Sequence, residues 1–109
     1  MVVDNRQVIV SGVGDWRYVD CISEGGGKLA SLEWVRRKSG IPKERCCACG
    51  DSGNDVLMLE GENPAIVVGN AQPDLVEWVL NQPQTGRVVL SHAKGAKGIL
   101  EGLASLALY

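Results

Sequence analysis

Two aspartates stand four residues apart in Gly50-Asp51-Ser52-Gly53-Asn54-Asp55, between an apolar stretch and the start of a helical pattern. Hard cations such as Mg²⁺ take oxygen ligands, keep several waters, and need only one or two carboxylates plus a substrate phosphate. Asp51, leaving the end of a strand, and Asp55, returning from the first helical turn, would meet at such an ion. The glycines let a ligand approach the backbone closely. The same turn is equally what a helix cap needs, because Asp, Ser and Asn are all favoured there. A calcium-binding loop does not fit. Counting from Asp51, position twelve is Glu62, but positions seven and nine are Leu57 and Leu59, inside the helical pattern.

Gly25-Gly26-Gly27-Lys28 places a lysine after a glycine run at a helix start. It is not a Walker A loop. The glycine required five residues before the last one is Ile22, and the Ser or Thr required after the lysine is Leu29. Alone, such a lysine is a solvated side chain; beside a metal-binding acidic turn it would matter for phosphate. Asn70, after the apolar run Ala65 to Val68, lines the same expected edge or simply ends the strand.

The cysteines are Cys21, Cys46, Cys47 and Cys49. The run Cys46-Cys47-Ala48-Cys49 reads as one buried strand, whose residues cannot easily bridge one another. The single histidine, His92, is too distant for paired zinc ligands. Buried, reduced thiols are therefore expected, and with them a reducing compartment, the cytosol.

These residues need elements to position them. Gln7 to Ser11 and Trp16 to Ile22 read as an antiparallel hairpin around Gly12-Val13-Gly14-Asp15, followed by a linker from Glu24 to Gly27. From Lys28 the pattern is helical, with Leu29, Leu32 and Val35 on one face and Glu33, Arg36 and Arg37 toward solvent, until Gly40 and Pro42. Strands follow at Cys46 to Cys49, Ala65 to Val68 and Arg87 to Leu90. Helices are expected from Val56, from Pro73 to Leu80, and around Ile99, Leu100, Leu103 and Leu106, with Ser91 or His92 near the last helix's start. Alternation at this spacing predicts an α/β fold, a parallel sheet with helices on its faces. Ligands of such sheets bind at the carboxyl ends of the strands.

The chain has 109 residues, 45% hydrophobic and 22% charged, with a net charge of −2. That suits one small globular unit and is unlike a disordered chain. No basic stripe exists for nucleic acid, no run is long enough to span a membrane, and Met1 to Arg6 lacks the pattern of a secretory signal.

Lys28 at a helix start, followed by a strand ending in Gly50-Asp51-Ser52-Gly53-Asn54-Asp55, resembles the third and fourth motifs of the haloacid dehalogenase superfamily. Together with Val68-Gly69-Asn70-Ala71-Gln72-Pro73-Asp74-Leu75, Ser91-His92-Ala93 and Gly98-Ile99-Leu100-Glu101, the chain looks like the C-terminal half of the sucrose-phosphate phosphatase family from about Gln7 to Leu106. The resemblance implies a partial Rossmann-like three-layer core over residues 25–109, preceded in residues 1–24 by the last hairpin of a sugar-recognising cap and a linker. It implies Mg²⁺-dependent hydrolysis of a sugar phosphate, sucrose 6-phosphate, through an aspartyl-phosphate. Asp51, Asp55 and Asn54 would then shape the metal site, Lys28 would neutralise the phosphoryl group, and Ser52 and Asn70 would lie at the substrate edge.

One departure is large. The family's nucleophile and general acid come from an Asp-x-Asp-x-Thr strand, and no such pattern occurs here. The resemblance therefore implies the final portion of a longer enzyme, inert alone, or a shortened homologue. The alternative is a non-catalytic binding or regulatory module. Without the nucleophile strand, the edge at Cys46 to Cys49 would be unpaired, favouring self-association or docking onto a chain that supplies the other half.

Overall fold

The β-branched residues at the start of the chain form an antiparallel sheet of three strands, β1 (Val2–Val3), β2 (Arg6–Ser11) and β3 (Tyr18–Ser23), in that spatial order. The computed structural model describes residues 2–3, 6–12, 14–23 and 25–109. Val13 of the expected hairpin loop and Glu24 of the expected linker lie outside them. The hairpin is present, with Val8 opposite Cys21 and Val10 opposite Val19. It gains β1, and its second strand starts at Tyr18 rather than Trp16. Gly12 is required at the turn: its φ is +114°, and a Cβ there would lie 2.8 Å from the Trp16 carbonyl oxygen. Gln7 is buried in β2, and its amide donates to the carbonyls of Ser23 (3.2 Å) and Gly26 (2.6 Å), tying the hairpin to the next helix.

From there the chain alternates. Helix α1 (Gly27–Lys38) precedes β4 (Ala48–Gly50), α2 (Val56–Leu59), β5 (Ala65–Val67), α3 (Pro73–Leu80), β6 (Val88–Leu90) and α4 (Gly95–Ser105). The three strands are parallel in the order β4-β5-β6. Pro73 occupies the first turn of α3, where its missing N–H costs nothing. Central β5 is fully buried. Ala65 and Val67 face Leu59, Leu75 and Val79, while Ile66 faces α4. Helices thus cover both faces, giving three layers. Among the described residues, no helix is long and apolar enough to cross a membrane.

Three expectations need correction. The strand predicted at Cys46 to Cys49 begins at Ala48, because a 3₁₀ turn at Lys43–Arg45 precedes it and pairing runs from Ala48 opposite Ala65 to Gly50 opposite Val67. Cys46, Cys47 and Cys49 are accordingly half-buried rather than core, and Cys21 is exposed; none of the four is in a disulfide. On α1, no residue is fully buried, and Val35 and Trp34 are exposed. Glu33 and Arg36, expected in solvent, turn inward. They pair at 2.7 Å, the Asn63 amide donates to Glu33 at 2.7 Å, and Arg36 donates to the Ile41 carbonyl at 2.9 Å. This network ties α1 to the turn before β5, beside the apolar packing of Leu32 on the core. On α4, the buried residues are Gly98 and Gly102, while Leu100 is half exposed. A Cβ on Gly102 would sit 2.6 Å from Ile66, so the glycine lets the helix lie directly on the sheet.

Candidate functional site

The carboxyl ends of β4, β5 and β6 share one edge, and the acidic turn leaves it from β4. Gly50 makes the turn possible, since a Cβ there would lie 2.9 Å from the Asp55 Cβ and 3.0 Å from Leu59. Ser52 and Asp55 then cap the 3₁₀ turn Gly53–Asp55 reciprocally. One Asp55 carboxylate oxygen accepts the backbone N–H groups of Asp51 (3.0 Å) and Ser52 (3.3 Å), and the other pairs with the Lys28 ammonium. Lys28 also donates to the Asn54 side-chain oxygen at 3.2 Å, which receives the Ser52 hydroxyl at 2.6 Å.

Lys28 reaches this turn from the first turn of α1. Gly27, at φ +92°, redirects the chain there, and the Gln7 amide anchors the preceding carbonyl. The Asp55 side chain is only 7% exposed, whereas that of Lys28 is 50% exposed. Burial opposes ionisation of Asp55, but the Lys28 bond and the Asp51 and Ser52 amides outweigh it, so its carboxyl titrates below the usual range. Asp55 is therefore fully committed inside the protein. Asp51 is the opposite case: it is exposed, and its carboxylate has no hydrogen-bond or ion-pair partner among the described residues.

A cavity of about 480 Å³ opens at this point, walled by Lys28, Asp51, Asn54, Cys49, Gly95 and Ile99 among others. Lys28, Asp51, Ser52, Asn54 and Asp55 all line it. Asn70 stands at the same edge but outside the wall. Its side-chain oxygen accepts the Gly95 N–H at 2.9 Å and so fastens the start of α4. Glu101 fixes the adjoining loop by accepting the N–H groups of His92 (2.7 Å) and Ala93 (3.1 Å), and the Ala93 carbonyl accepts the Gly69 N–H at 2.8 Å. A Cβ on Gly69 would collide with the His92 carbonyl, which explains the glycine. On the α4 side of the wall, Gly95 and Ile99 were not expected as site residues; Ile99 stood only within the Gly98-Ile99-Leu100-Glu101 string.

Cys49 was also missed as a wall residue. The neighbouring Cys47 thiol pulls its ionisation down to about 7, while Cys49 and burial push Cys47 up. Among the described residues, no group of three or more His, Cys, Asp or Glu gathers as a metal cluster. The oxygen donors at the cavity are hard ones, the open Asp51 carboxylate foremost, and they suit Mg²⁺ better than a soft metal.

Comparison with known proteins gives this geometry a lineage. The model of the family described as sucrose-6F-phosphate phosphohydrolase matches residues 5–106. A mannosylfructose-phosphate phosphatase of Agrobacterium fabrum is 35% identical over 88 residues, covering 80% of this chain and 34% of that protein. A probable sucrose-phosphatase of Arabidopsis thaliana is 31% identical over 94 residues, 82% of this chain and 22% of that protein. The crystal structure of sucrose-phosphatase from Synechocystis, in complex with sucrose and phosphate, superposes with a TM-score of 0.83 at 27% identity, over 94% of this chain and 41% of that one. A haloacid dehalogenase-like hydrolase of Bacillus subtilis gives 0.62 at 26% identity, over 96% of this chain and 36% of that one. The chain spans about a third or less of the length of these two curated relatives. By its family match, its core of alternating strands and helices and its Lys28–Asp55 turn, the chain belongs to the sucrose-6F-phosphate phosphohydrolase family, within the haloacid dehalogenase superfamily.

Proposed function

We propose that this chain forms the cation- and phosphate-holding part of a sugar-phosphate phosphatase acting on sucrose 6-phosphate or a close relative. One observation carries the reading: Lys28 crosses from α1 to pair with Asp55 and Asn54, leaving the Asp51 carboxylate open at the cavity. Asp51 is the protein oxygen that would hold Mg²⁺, with Asn54 and Asp55 shaping the site around it. When bound, Mg²⁺ would supply charge neutralisation at the phosphoryl oxygens. Lys28 neutralises further charge there, and Ser52 orients Asn54. Asn70 keeps the α4 side of the cavity in place.

The attacking group is not among these residues, since no Asp-x-Asp-x-Thr occurs in the sequence. In the proposed enzyme, a carboxylate from such a segment attacks phosphorus, the sugar oxygen leaves with a proton from the second aspartic acid, and water then cleaves the aspartyl-phosphate. Residues 1–24 are assigned to the end of a cap and 25–109 to the core. The unbridged cysteines support a reducing compartment such as the cytosol.

The test is phosphate release from sucrose 6-phosphate with Mg²⁺. The pure chain should give none, a fusion carrying an Asp-x-Asp-x-Thr segment should restore it, and Asp51→Asn should abolish the restored activity. Robust hydrolysis by the pure chain, or restored activity indifferent to Asp51→Asn, would refute the assignment. The missing nucleophile pattern itself favours a second reading, a binding module. That reading predicts no restoration, with Mg²⁺ and inorganic phosphate still shifting the amide signals of residues 50–55.

A further inference from the structure

We propose that Cys49, in the wall of the cavity, and Cys47, two residues before it, form an oxidisable dithiol, which a hydroperoxide closes to an intrachain disulfide. The inference is independent of the phosphatase reading, because it rests on the pair and its setting alone.

Residues two apart in extended chain project to the same side. Cys49 is the middle residue of β4, and Cys47 lies one residue before the strand begins. The Cys47 thiol donates to the Ala48 carbonyl at 3.6 Å, which holds it beside the residue that separates it from Cys49. Both are half-buried, and Cys49 faces the solvent-open cavity, so a small oxidant reaches it. The other two thiols differ: Cys21 is on the exposed hairpin, and Cys46 is one residue out of phase.

The chemistry balances with one hydroperoxide. The Cys49 sulfur attacks the terminal peroxide oxygen and breaks the O–O bond. The alcohol leaves with one thiol proton, and Cys49 becomes a sulfenic acid, oxidised by two electrons. The Cys47 sulfur then attacks the Cys49 sulfur, the S–OH bond breaks, and water leaves with the second thiol proton. Proximity of a second thiol is what diverts the sulfenic acid from further oxidation.

Closure has a geometric consequence. Two residues along a strand separate Cα atoms by about 6.6 Å, at the outer limit of what a disulfide spans. The chain must therefore bend at Ala48 as the ring closes. Cys47 is free to move because it precedes the ladder and because β4 is an edge strand of the parallel sheet. The bend loads the Ala48 N–H bond to the Pro64 carbonyl, now 2.9 Å, and reaches Gly50 and Asp51 just beyond.

The test uses the full chain with Cys21→Ser and Cys46→Ser, treated with one equivalent of hydrogen peroxide. Both remaining thiols should be lost together to alkylation, with a mass decrease of two hydrogens in the monomer, reversed by dithiothreitol. The amide signals of Asp51 and Ser52 should shift on oxidation while that of Gly86 stays put. In a variant that also carries Cys47→Ser, Cys49 should stop at a dimedone-trappable sulfenic acid. Stepwise addition of oxygen to Cys49 with Cys47 still alkylatable would overturn the proposal. So would two thiols that stay fully alkylatable under conditions that oxidise Cys21 in the unmodified chain. If the double variant does not fold, mapping the unmodified chain for a Cys47–Cys49 link gives the same decision.

Discussion

Replacing Asp55 should unmake the acidic turn from within. Its carboxylate accepts two backbone N–H groups with one oxygen and the Lys28 ammonium with the other. Hydrogen bonds to a charged group are each worth about 1.5–3 kcal/mol net. The part-buried Asp51 and Ser52 amides recover some of that from water, and the half-exposed Lys28 pair adds no more than about 1 kcal/mol. Asp55→Ala should therefore cost about 2–4 kcal/mol. Asp55→Asn is the sharper variant. The amide has one oxygen, so whichever way it turns, its NH₂ group faces a donor: Lys28 on one side or the Asp51 and Ser52 amides on the other. Its cost should approach that of alanine despite the unchanged shape, lowering the melting temperature by on the order of 10 °C in a domain of this size. The pH dependence gives a second handle. Asp55 titrates below its ordinary value of 3.8, so its stabilisation is complete above that value and disappears as pH falls through the native one. Urea unfolding of wild type and Asp55→Asn should differ by about 2 kcal/mol or more at neutral pH and converge as the pH is taken below 3.8 and through the lowered native value. An Asp55→Asn protein within about 0.5 kcal/mol of wild type at neutral pH, or a gap that survives acidification, would show that the turn does not depend on this carboxylate.

Three further outcomes follow from the same structure. Asp51→Asn should leave the melting temperature nearly unchanged, since the carboxylate lacks an internal partner, while weakening the Mg²⁺-induced shifts of residues 50–55 measured by NMR. Gly102→Ala should destabilise by up to about 2 kcal/mol, because an overpacking cost of about 1–3 kcal/mol is offset only in part by the roughly 1 kcal/mol gained in helix propensity; the loss in the Gly102→Ala, Ile66→Ala double variant should fall short of the sum of the two single losses. Glu33 is held down to about 2 by its bonds from Arg36 and Asn63, so its stabilisation is complete above about 4.5 and lost as pH falls toward 2. Acid titrations of stability should show Glu33→Gln flatter than wild type across that window.

The alternation of apolar runs and helical patterns made the parallel sheet legible, because burial on both faces leaves a continuous apolar signature such as Ala65 to Val68. Strand starts were not legible. Cys46-Cys47 is as apolar as Ala48-Cys49, and only the register with Ala65 decides where pairing begins. Residues of the acidic turn announced themselves by type and spacing, but their division of labour did not. Asp51 and Asp55 look alike in sequence, and what separates them is a lysine 27 residues before Asp55, which local pattern alone reads as solvated. The inward turn of Glu33 and Arg36 was hidden because their partner Asn63 lies 30 residues after Glu33 and in an unrelated turn. Likewise, leucines in α4 advertised an apolar face, whereas its buried residues are Gly98 and Gly102.

The parallel sheet has one more consequence, for the route by which the chain folds. Its spatial order β4-β5-β6 is also its order along the chain, and each crossover encloses only a single short helix. Ala48 meets Ala65, and Ala65 meets Val88, without any strand having to insert between two already joined. Each pairing therefore closes a short loop, at little entropic cost, onto an edge that already exists. The acidic turn lies within the first of these loops, between β4 and α2. It should thus be shaped when β4 and β5 first pair, before α4 arrives to complete the far wall of the cavity. Pulse-labelled hydrogen exchange during refolding should accordingly protect Val68, whose N–H donates to the Gly50 carbonyl of β4, ahead of Leu103 and Leu106.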